Sequence, residues 1–458
     1  MWNEIILQAK KIGIKGSFTR NVSIASSWTI LGILAQFILS PIITRLYEPN
    51  EYGLFAVFSS IAVNIVLISS LKYNEAIIIA ERPNQRNNII VLSVFWVFLA
   101  ALLSSIAIYL VGDYLMLSLN VIHLNKILYL IPLAVVMAGM LDILAAINIS
   151  RQKFFTNGLS GFFLNVCSRI FTILYGVMVQ PKVLGLVGGD LLGKVIGITV
   201  MLFSVKNLKK IIVTFFSTIS LKRIKFVAYQ HRYFPLYVLP TNVLISISAH
   251  LPIYFFQFQF NSDVVGYYAL AASFLEIINR FLPYSISSVF FPKAVALKKE
   301  SHNQLNMIVY QLYWFTFALS SFIFICGALF SKTIFPLIFG DSWRNAGLFA
   351  GILSMQYAIN FIAISLSDVY KVLGRQRFLL TITFVSIMLK MVAFVFIIYL
   401  RLDVKLALLW FCIAGSVGGI MQIVGIFFGL HMMAWKVSFS LVILLLALIA
   451  VVSFVNIW

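Results

Sequence analysis

Charge is what this sequence has least of. Only 10% of its 458 residues are Asp, Glu, Lys or Arg, while 62% are hydrophobic, whereas an ordinary soluble domain is about a quarter charged. A water-soluble core cannot absorb that much apolar surface, which excludes a soluble enzyme or binding module. Cysteine is nearly missing too: Cys167, Cys326 and Cys412 sit apart in apolar runs, at neither metal-ligand nor disulfide-framework spacing. They read as small buried hydrophobes. The five histidines show no metal-ligand spacing. The sequence has no Gly-Lys-Ser/Thr phosphate loop, so nucleotide binding of the usual kind is not expected. Nor does any loop carry a Ser-His-Asp set or a carboxylate pair with room for a hydrolase. No enzyme, no cofactor and no metal are therefore expected.

Long uncharged stretches are what the sequence does have. Ile24 to Ile43, Ile89 to Val111 and Phe439 to Trp458 each reach the roughly 20 residues a helix needs to cross a ~30 Å hydrocarbon core. The alternating segments of a transmembrane barrel are missing. Apolar runs between charged or turn-rich breaks place spans near 23–43, 53–71, 89–111, 127–149, 158–180 and 183–205. A second series follows near 234–259, 264–291, 306–331, 346–367, 378–400 and 404–430, with one more at 438–457. Tyr114 to Leu124 and Thr333 to Phe339 are too short to span and read as interfacial pieces. Residues 1–22 form an amphipathic, Lys-rich lead without the pattern of a cleaved signal peptide.

Basic residues orient the chain. With the N-terminus in the cytoplasm, 23 of the 34 Lys and Arg fall inside, 7 outside and 4 within spans, the asymmetry expected of cytoplasmic loops. The net charge of +20 thus follows topology, and no nucleic-acid partner is expected. The largest basic block, from Lys206 to Arg232, lies in a middle linker at 206–233 and reads as an interfacial helix on anionic lipid.

The chain also repeats itself. Asn50-Glu51-Tyr52-Gly53-Leu54-Phe55-Ala56 resembles Asp263-Val264-Val265-Gly266-Tyr267-Tyr268-Ala269, and Arg151-Gln152-Lys153-Phe154 resembles Arg375-Gln376-Arg377-Phe378. The offsets, 213 and 224 residues, agree apart from a modest loop insertion. A duplicated six-helix unit follows, and because six is even the two copies are parallel. The expected fold is an all-α polytopic membrane protein: a lobe at 23–205 and a lobe at 234–430 around a central cavity, with an additional helix at 431–458.

An ionisable side chain at bilayer depth costs at least ~2.5 to 3.5 kcal/mol, so each needs a partner or a wet cavity. The cations are Arg169, Lys194, Arg280 and Lys390, and the acids at or near span depth are Asp142, Asp190, Glu276, Glu75 and Asp368. Asp190 with Lys194 and Glu276 with Arg280 are four apart, on one helix face. Each pair either neutralises itself in a packed bundle or lines a cavity. Ser273, Glu276, Arg280, Tyr284 and Ser287 recur at helical steps and give that helix a polar face, which should meet a cavity rather than lipid. Lys390 and Arg169 have no acid within one turn. Each either pairs across helices, as Lys390 with Asp142, or offers donors and compensating charge to an anionic cargo. The reading assigns Arg280, Lys390, Arg169, Lys194, Tyr284 and Ser273 to substrate binding. Glu276, Asp190, Asp142 and Glu75 are assigned to charge balance or ion coupling, driven by a proton or sodium gradient and the membrane potential. The Gly-rich stretches at 185–189 and 415–419 read as close helix contacts.

Four loop segments then carry a family resemblance. They are Ser40-Pro41-Ile42-Ile43-Thr44-Arg45-Leu46-Tyr47-Glu48-Pro49-Asn50-Glu51-Tyr52-Gly53-Leu54-Phe55, Leu71-Lys72-Tyr73-Asn74-Glu75-Ala76-Ile77-Ile78, Val265-Gly266-Tyr267-Tyr268-Ala269-Leu270-Ala271 and Gly340-Asp341-Ser342-Trp343-Arg344-Asn345-Ala346-Gly347. In this order the chain resembles the O-antigen and polysaccharide flippases (Wzx type) of the multidrug/oligosaccharidyl-lipid/polysaccharide exporter (MOP) superfamily. The resemblance implies a V-shaped, cation-lined cavity between two six-helix lobes. It also implies transport of an undecaprenyl-diphosphate-linked oligosaccharide across the bacterial inner membrane, with polysaccharide polymerase machinery as a partner. The thirteenth span departs from the usual twelve. The alternative within the superfamily is a multidrug or organic cation exporter, which would favour unpaired carboxylates. A polysaccharide polymerase would need longer outer loops than the roughly fifteen residues available here.

Overall fold

The computed structural model describes residues 18–118, 125–203 and 220–457, and among them there are helices and short turns but no strand. In chain order the helices are α1 (Phe18–Leu46), α2 (Pro49–Ser69), α3 (Tyr73–Ile79), α4 (Pro83–Ser118), α5 (Asn125–Leu128), α6 (Ile131–Ser150), α7 (Phe154–Met178), α8 (Val183–Phe203) and α9 (Leu221–Gln230). A π-turn at Phe234–Val238 leads into α10 (Leu239–Gln259), followed by α11 (Ser262–Glu300), α12 (His302–Phe339) and α13 (Arg344–Leu366). The chain ends with α14 (Asp368–Leu373), α15 (Gln376–Tyr399), α16 (Val404–Gly429) and α17 (Ala434–Ile457).

Twelve of these helices are long and apolar enough to cross a membrane, and they match twelve of the thirteen expected spans. The thirteenth, α11, is not among them, because Glu276, Asn279 and Arg280 interrupt its apolar run. At 39 residues and 1.5 Å per residue it is roughly 58 Å long, so its length is ample. Of the two expected interfacial pieces, the first lies partly outside the described residues, at 119–124, and the described parts of both belong to longer helices. Tyr114–Ser118 is the last turn of α4, and Thr333–Phe339 is the end of α12. Both continue because nothing in the sequence stops the intrahelical ladder at the edge of the apolar run. The α12 ladder ends only at Gly340, whose φ is 102°. The lead falls largely outside the described residues, as do linker residues 206–219.

The chain divides into two compact units, Met1–Phe258 and Gln259–Trp458. In the first, α7 packs between α1 and α8, while α6 packs on α2, α3 and α4. In the second, α13 is the centre, contacted by α11, α12, α16 and α17; of the twelve apolar spans its own is the most buried. Helix α10, which the duplication assigns to the second half, belongs to the first unit by packing. Its Ser246 hydroxyl donates to Asn64 Oδ1 of α2 at 2.7 Å, and Asn64 Nδ2 donates to the Tyr254 hydroxyl at 2.9 Å.

The two matching loops of the internal repeat share a helix ending. After α6, Lys153 N donates to Asn148 O at 2.8 Å with Gln152 in the left-handed region (φ 57°). After α14, Arg375 N donates to Tyr370 O at 2.9 Å with Gly374 left-handed (φ 74°). In both, a left-handed residue reverses the chain and satisfies a terminal carbonyl. The glycine stretches are close contacts, as the sequence implies. A Cβ on Gly189 would lie 2.7 Å from the Ser168 carbonyl oxygen, and one on Gly415 2.5 Å from the Gln356 side chain.

Candidate functional site

The charges at span depth fall along α11 and at Lys390 in the second unit, and into three places in the first. In the second unit, Arg280 Nε donates to Glu276 Oε1 at 3.0 Å. The pair is open, with the arginine side chain 72% and the glutamate 48% exposed. Ser273 and Tyr284 are exposed on the same face, so four of the five polar positions along α11 form an accessible strip. The fifth, Ser287, is buried and donates to Asp368 Oδ2. Asp368 also pairs with Lys371 at 2.6 Å, joining α11 to α14.

Lys390 stands apart. It is half-buried on α15, pairs with no carboxylate among the described residues, and holds its ammonium 5.4 Å from the centroid of the Phe411 ring. Phe411 is itself stacked on Phe394, with centroids 5.5 Å apart. A cation over an aromatic face gains roughly 0.5 to 2 kcal/mol, less than an ammonium loses on leaving water. The ring alone therefore does not offset the burial of the Lys390 ammonium.

In the first unit, Lys194 pairs with Asp190 within α8, and the two side chains are 18% and 29% exposed. This pair neutralises itself. Arg169, half-buried on α7, has no ion pair among the described residues. The third place brings two predicted acids together with a lysine the sequence reading did not assign. Lys72 pairs with Glu75 at 3.5 Å, and both lie within electrostatic reach of Asp142 on α6. Lys72 and its neighbour Leu71 both adopt left-handed backbone, φ 61° and 47°, a costly conformation for residues with a Cβ. That break ends α2 and starts α3, and it turns the lysine toward the acids. The signal was in the sequence as an ionisable residue beside Glu75, but its orientation depends on the backbone break.

Other polar groups in the spans lie beyond the charged residues and the α11 strip that the sequence singles out. Four buried polar atoms in the second unit, Asn279 Oδ1, Asn306 Oδ1, Gln356 Oε1 and Ser416 Oγ, have no hydrogen-bond partner among the described residues. Asn279 lies beside Arg280, and its Nδ2 donates to the Tyr357 carbonyl at 3.2 Å. In the first unit, His250 within α10 donates from Nδ1 to the Ser246 carbonyl at 2.9 Å and so joins the Asn64 network.

The arrangement offers charge and hydrogen-bond donors along membrane-crossing helices. No cluster of three or more metal-ligating side chains occurs among the described residues. No curated protein matches the sequence. Solved structures do match in fold. An inward-facing multidrug resistance MATE family transporter of the MOP superfamily is 14% identical, covering 88% of this chain and 94% of its own, with a TM-score of 0.65. The lipid II flippase MurJ in an inward closed conformation is 14% identical over 95% of this chain and 97% of its own, at a TM-score of 0.63. The Vibrio cholerae MATE transporter VcmN in its bent form is 12% identical over 91% and 98%, at 0.51. These likenesses establish a MOP-type transporter fold. A family model described as "polysaccharide biosynthesis protein" matches residues 18–298. With a match over more than half of its length and this fold, the chain belongs to the polysaccharide biosynthesis protein family, as a multi-pass membrane protein built like the MOP-superfamily transporters.

Proposed function

We propose that the protein moves an undecaprenyl-diphosphate-linked oligosaccharide, such as an O-antigen repeat unit, from the cytoplasmic to the periplasmic leaflet of the bacterial inner membrane by alternating access. The observation that carries this reading is the imbalance of compensation at span depth. Asp190, Glu276 and Glu75 each hold a cation, and Asp142 lies near Lys72, whereas Lys390 and Arg169 hold no carboxylate among the described residues. Uncompensated cations favour a diphosphate, which they can meet with charge-assisted hydrogen bonds. An exporter of organic cations would instead favour uncompensated acids. The open strip of Ser273, Glu276, Arg280 and Tyr284 supplies hydroxyl, carboxylate and guanidinium groups of the kind a glycan requires. Coupling to a proton or sodium gradient, through Glu75, Asp142 or Glu276, belongs to the same proposal.

The experiment is reconstitution into vesicles carrying a labelled undecaprenyl-diphosphate glycan. Protein-dependent change in the fraction open to an external glycosidase is the expected result. Unchanged accessibility, with efflux of an organic cation from the same vesicles, would establish the exporter instead.

A further inference from the structure

A second concentration of positive charge lies outside the spans, and transport as described above makes no use of it. Where the start of α4 meets the linker helix α9, a cleft of about 890 Å³ opens, within the size range of small-molecule sites. Arg82, Asn84 and Gln85 line it from one element and Arg223, Phe226 and Gln230 from the other, with Glu81 as its one carboxylate. Neither Arg82 nor Arg223 has an ion pair among the described residues. One turn further along α4, Arg86 donates from Nη1 to the Ser150 hydroxyl at 3.2 Å. That brings it against Arg151, whose hold on its proton is weakened by burial and by the Arg86 charge. Arg86 and Arg151 are not part of the cleft lining, so the cations open to a bound group there are Arg82 and Arg223.

The cleft is preformed. Val227 of α9 is 3% exposed in a cluster with Tyr73, Ile77 and Ile89, and the Tyr73 hydroxyl donates to the Ala228 carbonyl at 3.2 Å. Gln85 Nε2 donates to Gln230 Oε1 and to His231 Nε2, both at 3.1 Å. Burial lowers the proton affinity of His231, which keeps that ring nitrogen free to accept. Ser220 N donates to Asn88 Oδ1 at 3.2 Å.

We propose that this cleft binds a phosphate-bearing headgroup. Arg82 and Arg223 would take phosphate oxygens as planar, two-pronged donors, and the amides of Asn84 and Gln230 would take neighbouring hydroxyls. Leu221, Phe226 and Tyr229, all exposed on α9 beside Lys222 and Lys225, offer apolar surface to an attached chain, the pattern of a helix at a membrane surface. One bound headgroup would tie the linker helix to the start of α4. The chemistry has two sources, an anionic phospholipid or the diphosphate of a polyprenyl carrier.

The test uses the full chain in detergent, with short-chain phosphatidylglycerol and inorganic pyrophosphate as separate probes, followed by native mass spectrometry and a binding titration. Binding of at least one probe is expected, weakened about tenfold or more in the Arg82→Gln, Arg223→Gln double variant, as loss of charge-assisted hydrogen bonds implies. Neither arginine has an ion pair among the described residues, so their loss should leave the thermal midpoint unchanged. Glu81→Gln should tighten binding several-fold, a gain that misfolding cannot produce. A Lys222→Gln, Lys225→Gln control removes equal charge from the same helix and should bind almost as the parent does. Tighter phosphatidylglycerol assigns the lipid source, and tighter pyrophosphate the diphosphate. Equal losses in the arginine and lysine variants would reduce the effect to surface adsorption and overturn the proposal, as would no binding of either probe. Transport need not occur for any of these outcomes, so the result stands apart from the cargo's identity.

Discussion

Lys390 and Arg280 differ in how their charge is answered, and the difference sets what each can do. Arg280 is already paired with Glu276, so its remaining guanidinium nitrogens are free to donate while its net charge is balanced. Among the described residues Lys390 has the face of Phe411 and no carboxylate, so in the proposed role its charge is the one left for an anion. Replacing either by alanine should abolish glycan display on cells, by at least about tenfold if each supplies one charge-assisted hydrogen bond, with protein levels in the membrane unchanged. Surface glycan staining against membrane protein content reads both. Full display by both variants would remove them from the binding role.

At the scale of helices, the glycines of α8 set how closely neighbours approach. A side chain at Gly189 would run into the Ser168 carbonyl oxygen of α7, a backbone atom that cannot swing aside. Gly189→Val should therefore lower stability by roughly 1 to 3 kcal/mol, read as a fall in the thermal midpoint of the purified protein. This contact was legible in the sequence as a Gly-rich stretch, because close approach of helices needs small residues and the pattern states that need directly. Span positions were legible for the same reason, since hydrocarbon thickness imposes length. The ends of α4 and α12 were not, because a helix stops where its capping geometry allows and not where the apolar run does. Nor could the sequence place Lys72 against Asp142: their meeting depends on two consecutive left-handed residues that carry no glycine signal. His250 and the orphaned acceptors at Asn279, Gln356 and Ser416 stayed hidden because uncharged polar side chains occur in every span, and only burial distinguishes the ones that matter.

For the whole molecule, the balance of charge moved in transport decides what drives it. The proposed diphosphate cargo carries about two negative charges, and an inside-negative potential of 100 mV favours moving them outward by roughly 4 to 5 kcal/mol. Imposing that potential on reconstituted vesicles with a potassium gradient and valinomycin should speed outward movement, and reversing its sign should suppress it. Movement indifferent to polarity would mean that counter-ions travel with the cargo and cancel its charge. Of the two loop matches that suggest an internal duplication, the one at Arg151 and Arg375 falls where two helices each end through a left-handed residue, Gln152 and Gly374. The grouping of α10 was not legible, since a repeat records ancestry while packing records present contacts. Asn64, Ser246 and Tyr254 tie that helix to α2. A gene divided at the repeat boundary, before residue 234, would separate Asn64 from Ser246 and Tyr254 and leave its amide with only the Ser60 carbonyl of its own helix. A gene divided after residue 258 would keep every one of those bonds inside a single polypeptide, so the place to cut this protein in two is one helix later than its evolutionary seam.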